Sequence, residues 1–130
     1  MKLKNSFPYN FFFSKITIIS WIFSIVIVFY LSLLPQVDTP IDFKYSDKAW
    51  HVLAYLWLSF LPYVGFENKW RALLGSLLMI ALGMGLEFGQ SFIPEREATI
   101  SDIIANNIGV IIGILFGSIL RRFYHINFRR

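Results

Sequence analysis

Asp47, His51 and Tyr55 follow one another at intervals of four residues, a spacing that could assemble an acid–base site. On a helix these three side chains share one face, with His51 about one turn, or roughly 6 Å, from Asp47. An aspartate at that distance can accept a ring N–H and fix the tautomer of the histidine. His51 could then serve as a general base, with the Tyr55 hydroxyl deeper on the same face.

Two later stretches also place polar groups at helical spacing. Glu87 and Gln90 stand three residues apart near the end of a long apolar run, where Glu87 could act as a second acid or base. Asp102 and Asn106 are four residues apart at the start of the last apolar run. Three glycines continue that stripe and would let another helix approach closely: Gly109, Gly113 and Gly117.

The composition indicates that these residues lie on membrane-spanning helices. Hydrophobic residues make up 56% of the 130-residue chain and charged residues only 15%, against about 25% charged in ordinary soluble domains. Four apolar runs, over residues 16–34, 49–66, 70–93 and 103–120, are each long enough to cross about 30 Å of hydrocarbon as a helix. We therefore predict an all-α, polytopic integral membrane protein with four transmembrane helices in a single domain over 1–130.

The distribution of basic residues predicts the orientation of these spans. With the runs alternating in direction, one side of the membrane holds nine basic residues and the other holds Lys44, Lys48 and Arg96. The nine are Lys2, Lys4, Lys15, Lys69, Arg71, Arg121, Arg122, Arg129 and Arg130. By the positive-inside rule, both termini should be cytoplasmic. The polar residues of the last three spans then lie near the outer face.

A charged side chain that faces lipid at the bilayer centre costs about 2.5–3.5 kcal/mol on insertion scales, so these groups should turn toward one another. Arg96 could lean inward and neutralise Glu87, or pair with neighbouring acids in solvent. We expect a ligand-binding pocket with His51, Glu87 and Asp47 as candidate catalytic groups. The complete predicted set is Asp47, Lys48, His51, Tyr55, Glu87, Gln90, Arg96, Asp102 and Asn106.

Two segments carry a family resemblance. SDKAWHVLAY (46–55) and LEFGQSFIPEREATISDIIANNIGVIIG (86–113), with LSLLP before the first outer loop, resemble the VanZ-like family in order and spacing. One departure is Glu95, where the family often has glycine. The resemblance implies a bacterial, helical protein of the cytoplasmic membrane. The family is named for a protein that lowers susceptibility to teicoplanin, so an antibiotic-resistance role in the cell envelope is an expectation.

Several function classes are disfavoured by the sequence. The chain has no cysteine, which excludes disulfides, thiol nucleophiles and cysteine-bound metal clusters. It also lacks HExxH and paired-histidine spacing, so we expect no metal and no cofactor. The net charge of +4 comes mainly from basic residues that flank apolar runs, which favours membrane topology over nucleic-acid binding.

Three interpretations of the polar residues stay open. The pocket could bind membrane lipids, lipid-linked envelope precursors or a lipophilic antibiotic. It could instead be the active site of an intramembrane enzyme acting on a lipid-linked substrate, although binding without catalysis is favoured. In the third interpretation the residues are only structural: Asp102 caps its helix, Asn106 bonds between helices and Tyr55 packs as an ordinary aromatic. The oligomeric state is not predicted.

Overall fold

The computed structural model describes residues 11–35, 45–94, 96 and 98–127, and among these the side chains of 14–35, 45–94, 96 and 98–123. The secondary structure of these residues is helical, in four helices that are named here in chain order: α1 (Phe11–Ser32), α2 (Ser46–Gly65), α3 (Lys69–Gln90) and α4 (Ile100–Asn127). The connector 36–44, Glu95 and the terminal basic residues Lys2, Lys4, Arg129 and Arg130 lie outside the described residues.

Side-chain bonds between the helices show that they run alternately up and down. Ser14 near the start of α1 donates to the carbonyl of Gly65 at the end of α2, at 2.6 Å. Gln90 at the end of α3 donates to the carbonyl of Ser32 at the end of α1, at 2.9 Å. The ends of α1 and α3 therefore lie with the starts of α2 and α4. We call this end of the bundle the site end, because the predicted polar residues lie there.

The four predicted apolar runs correspond to the four observed helices, with boundaries that differ by a few residues. Three helices contain segments long and apolar enough to cross a membrane: Ser14–Ser32, Lys69–Gln90 and Ile100–Phe123. α2 also has 20 residues, but its first two turns carry Asp47, Lys48 and His51, which lower its hydropathy. It packs against all three other helices, so its polar groups are shielded by protein.

Small residues allow α4 to approach α2 closely. A Cβ atom added at Gly113 would lie 2.5 Å from the carbonyl oxygen of Leu56, and one at Gly117 would lie 2.5 Å from Cγ of Tyr63. Gly109 faces the α2 backbone in the same way, at the carbonyl of Val52. The stripe on α4 is thus in direct contact with α2, and the two helices run parallel in matched register.

The interior combines apolar packing with a few satisfied hydroxyls. Tyr55, Leu58, Met79 and Val110 form the fully buried apolar cluster. Next to it, the hydroxyl of Ser59 donates to the carbonyl of Tyr55 one turn earlier in α2, at 2.7 Å. A serine hydroxyl bonded to its own helix can be buried without a large desolvation cost.

The outward surfaces of the helices are apolar, as expected where lipid replaces water. Large side chains exposed by more than half their area occur along α1, α3 and α4, and include Phe23, Leu74, Phe88, Ile111 and Ile119. A soluble domain rarely exposes contiguous apolar surface of this extent. The bundle is therefore apolar outside and polar inside at its site end.

The glycine contacts give a stability prediction. Gly113→Ala should lower the free energy of unfolding by about 1–3 kcal/mol, because the new methyl group overlaps the Leu56 carbonyl and must push α4 away from α2. Gly85→Ala is the matched control, since a Cβ there meets nothing within 4 Å. Thermal or chemical unfolding in detergent measures both variants. Equal stability of Gly113→Ala and the parent chain would contradict the close α2–α4 packing.

Candidate functional site

Polar side chains from three helices meet at the site end. Glu87 of α3 is 4% exposed, and Asp102 and Asn106 of α4 are 6% and 2% exposed. Lys48 and His51, on the first two turns of α2, are partly buried beside them. Burying a carboxylate is costly unless it is paired or hydrogen-bonded, so the partners of each group decide what the cluster can do.

His51 is oriented by α4. Its Nδ1 lies 2.9 Å from Oδ1 of Asn106, an amide oxygen that can only accept a hydrogen bond. Nδ1 therefore carries the proton in the neutral ring, and Nε2 keeps its lone pair for a proton or a metal. The sequence assigned this orienting role to Asp47, and that assignment is wrong, because the partner of Nδ1 comes from α4.

Asp47 instead pairs with its neighbour at the edge of the cluster. Its carboxylate lies 2.8 Å from Nζ of Lys48, and the Asp47 side chain is 59% exposed. Lys48 also donates to Oδ1 of Asp102, whose side chain is only 9% exposed. One ammonium group thus links an outer carboxylate to an inner one.

Thr99 organises the start of α4 and was not among the residues predicted from the sequence. Its hydroxyl donates to Oδ2 of Asp102 at 2.7 Å, while the Asp102 backbone N–H donates back to that hydroxyl at 3.3 Å. The backbone contact is the N-cap half of a capping box, for which the Thr-x-x-Asp pattern at 99–102 was the available signal. Thr99 thus caps α4 and also holds the carboxylate of Asp102 within the cluster.

Glu87 is incompletely satisfied. Its Oε2 is buried and has no hydrogen-bond partner among the residues that the structure describes. A nitrogen of His51 and one carboxylate oxygen each from Glu87 and Asp102 lie within 4.8 Å of one another. Sequence motifs predicted no metal, but these three potential ligands come from three different helices and so leave no local spacing pattern.

Tyr55 lies one turn deeper than His51 and is packed into the protein. It is 2% exposed, its ring faces Gly83 of α3, and its Cβ packs against Gly109 of α4. A Cβ at Gly83 would lie 3.1 Å from Cε1 of the ring and 3.2 Å from Nδ2 of Asn106. Tyr55 and Gly83 therefore form the floor beneath the cluster.

Two residues of the predicted ligand set, Arg96 and Gln90, bond to backbone carbonyls near the C-terminus of α1. Arg96 donates from Nε to the carbonyl of Leu34 at 2.9 Å and from Nη2 to that of Leu31 at 3.1 Å. Gln90 bonds to the end of the same helix. No ion pair joins Arg96 to Glu87 among the described residues, so the inward-leaning alternative is wrong. Both side chains thus donate to backbone carbonyls at the C-terminus of α1 or just after it, and hold that segment in place.

The comparison with protein families agrees with the resemblance in the sequence. The model of the VanZ/LLP1 family matches residues 4–121, which include every residue of the cluster. The chain belongs to the VanZ/LLP1 family. It is a helical protein with membrane-spanning helices, and the polar cluster described above lies within the family-matched region.

One curated relative is an uncharacterized protein of Schizosaccharomyces pombe. It is 31% identical over 94 residues, which cover 70% of this chain and 56% of the yeast protein. The chain therefore spans just over half the length of that relative. No solved structure matches the chain. The yeast relative shows that similar sequences are not confined to bacteria.

The position of Arg96 gives a prediction that separates a structural role from ligand binding. Arg96→Met should lower the free energy of unfolding by about 1–3 kcal/mol, because the carbonyls of Leu31 in α1 and of Leu34 just after it lose a charged donor. Arg122→Met, an exposed arginine of α4, is the control. Melting of the purified variants in detergent measures the effect. An unchanged melting temperature for Arg96→Met would contradict the capping role.

Proposed function

We propose that the chain is a multi-pass protein of the cytoplasmic membrane that binds the phosphate-bearing head group of a lipid, such as a lipid-linked envelope precursor, at its site end. The observation that carries this proposal is the convergence of buried polar groups from α2, α3 and α4 within an otherwise apolar bundle. An ionisable group within a membrane-spanning segment is a functional candidate by default, because its insertion is costly.

Two groups of the site, Lys48 and His51, could contact a head group directly. Lys48 is bound on one side by the exposed Asp47, so its ammonium can turn from that carboxylate toward an incoming anion. His51 is partly buried next to it, and its ring is held by Asn106. The apolar outer surfaces of the helices would accommodate the lipid chains while the head group reaches these residues.

The proposed orientation places the site near the outer face of the membrane. Five described basic residues lie toward the opposite end of the bundle and two, Lys48 and Arg96, lie at the site end, a bias that the positive-inside rule associates with a cytoplasmic side. The five are Lys15, Lys69, Arg71, Arg121 and Arg122. α2 would form the fourth span in this arrangement, shielded by its three neighbours.

A second candidate function is catalysis on such a lipid. The orientation of His51 favours it, because Asn106 leaves Nε2 free to take a proton while two carboxylates lie within 4.8 Å. An imidazole with a fixed tautomer beside buried carboxylates is an arrangement used for acid–base chemistry. Binding is the simpler function because it needs only charged and polar groups that can contact the ligand.

Binding of matched lipids tests the primary proposal. Native mass spectrometry of the purified protein should show at least about tenfold tighter binding of a polyprenyl phosphate than of the polyprenol of the same length, since charged hydrogen bonds contribute about 1.5–3 kcal/mol. Lys48→Met combined with His51→Gln should remove this preference. Glu67→Gln, at the opposite end of the bundle, is the control and should keep it.

Equal binding of the phosphate and the alcohol by the parent chain would contradict a head-group site. The same assay should include teicoplanin, because the family resemblance raises a lipophilic antibiotic as a competing occupant. Binding of teicoplanin without binding of the polyprenyl phosphate would assign the pocket to the antibiotic and overturn the proposal.

Turnover tests the second candidate function. If the chain is an enzyme, the purified protein should convert a labelled lipid-linked substrate into a chemically distinct labelled product. The rate of this conversion should fall at least about 100-fold in His51→Gln, because a general base contributes about 10²–10⁴-fold. His125→Gln, which alters the other histidine of the chain, is the control. Turnover that persists in His51→Gln would exclude this residue as the base.

A further inference from the structure

We propose that His51, Glu87 and Asp102 bind a first-row divalent metal ion, for which Zn²⁺ is the best match. Each residue offers one ligand atom, and these atoms lie within 4.8 Å of one another. Around a tetrahedral zinc with bonds of about 2.0–2.1 Å, ligand atoms stand about 3.3 Å apart, so small side-chain rotations would close the site. This inference does not depend on the proposed lipid ligand.

The second observation that points to a metal is the unsatisfied oxygen of Glu87. Oε2 is buried, and the residue is 4% exposed, yet this oxygen has no hydrogen-bond partner among the described residues. An orphan carboxylate oxygen costs about 1–3 kcal/mol or more when buried. A cation bound between Glu87, Asp102 and His51 would satisfy it directly.

The residues around the three ligands are arranged as the outer contacts of a metal site usually are. A metal-bound histidine generally donates its other ring N–H to an oxygen, and Nδ1 of His51 lies 2.9 Å from Oδ1 of Asn106. Ligating carboxylates are generally hydrogen-bonded, and Oδ2 of Asp102 accepts from the hydroxyl of Thr99. These contacts leave Nε2 of His51 free to face the metal.

The donor set selects the class of ion. One imidazole nitrogen and two carboxylate oxygens suit zinc and other first-row transition metals, whereas Mg²⁺ and Ca²⁺ prefer oxygen ligands alone. Three protein ligands leave at least one coordination position open, as in zinc sites that bind a further ligand. In the general order of affinities Zn²⁺ should bind more tightly than Mn²⁺, and Mg²⁺ should bind most weakly.

Lys48 would compete with the metal for the carboxylate of Asp102. Its ammonium contacts Oδ1 of Asp102, so a metal at that carboxylate either displaces the ammonium or lies beside a like charge. Because like charges repel, removing this ammonium should strengthen metal binding. Lys48→Met keeps much of the length of the side chain and removes its charge together with its hydrogen-bond donors.

Zinc titration of the full chain tests the site. The protein, purified with a tag that lacks histidine and stripped with a chelator, should bind one Zn²⁺ per chain by calorimetry. His51→Gln, Glu87→Gln and Asp102→Asn should each weaken binding at least tenfold. The controls Glu67→Gln, at the opposite end of the bundle, and His125→Gln should bind like the parent chain, because neither residue belongs to the triad. X-ray absorption at the zinc edge should show one imidazole per ion, absent in His51→Gln.

Three results would contradict the metal site. In the first, the folded parent chain does not bind zinc stoichiometrically. In the others, binding persists unchanged in Glu87→Gln and Asp102→Asn, or is lost in His125→Gln. Lys48→Met gives an independent readout if a triad variant fails to fold: its affinity for zinc should rise at least threefold, and a fall would contradict a metal at Asp102. Polyprenyl phosphate binding is measured separately, so failure of either proposal is distinguishable from failure of the other.

Discussion

The close parallel packing of α2 on α4 determines the geometry of the site. Because Gly109, Gly113 and Gly117 have no side chain, the backbone of α4 lies directly against α2, and the two helices keep matched register over several turns. The same register brings Lys48 to Asp102 and His51 to Asn106 at the site end. A bulkier residue in the stripe would separate the helices and disrupt these pairs together.

Charge compensation is the main physical difficulty at the site end. Of the two buried carboxylates, Asp102 contacts the ammonium of Lys48, which Asp47 also binds, while Glu87 has no ion pair among the described residues. Purely structural polar residues are usually fully bonded, because unsatisfied groups cost stability and contribute nothing in return. The unpartnered Oε2 of Glu87 departs from that rule, and such departures occur where a protein sacrifices stability for binding or catalysis.

The sequence was sufficient to predict the helices and most of the cluster. Long apolar runs indicate helices, and polar residues three or four positions apart lie on the same face of a helix. The sequence could not assign partners across helices. Helical spacing placed the Asp47 side chain next to His51. Because α4 packs on α2, however, the His51 ring forms its hydrogen bond with Asn106. Helical spacing also placed Gln90 in the cluster, and one of two alternatives placed Arg96 there, but the backbone carbonyls of Ser32 and Leu34 bind these side chains. The set His51, Glu87 and Asp102 became visible only when three helices were packed together.

The central claim is that Glu87 is kept for a ligand and not for the stability of the bundle. The most direct measurement is the unfolding of Glu87→Gln in detergent without added ligand or metal. We predict stability equal to or above that of the parent chain, because the substitution keeps the shape of the side chain and removes a buried charge. A loss of about 3 kcal/mol or more, the cost of breaking a buried ion pair, would show that Glu87 holds the helices together and would contradict the account.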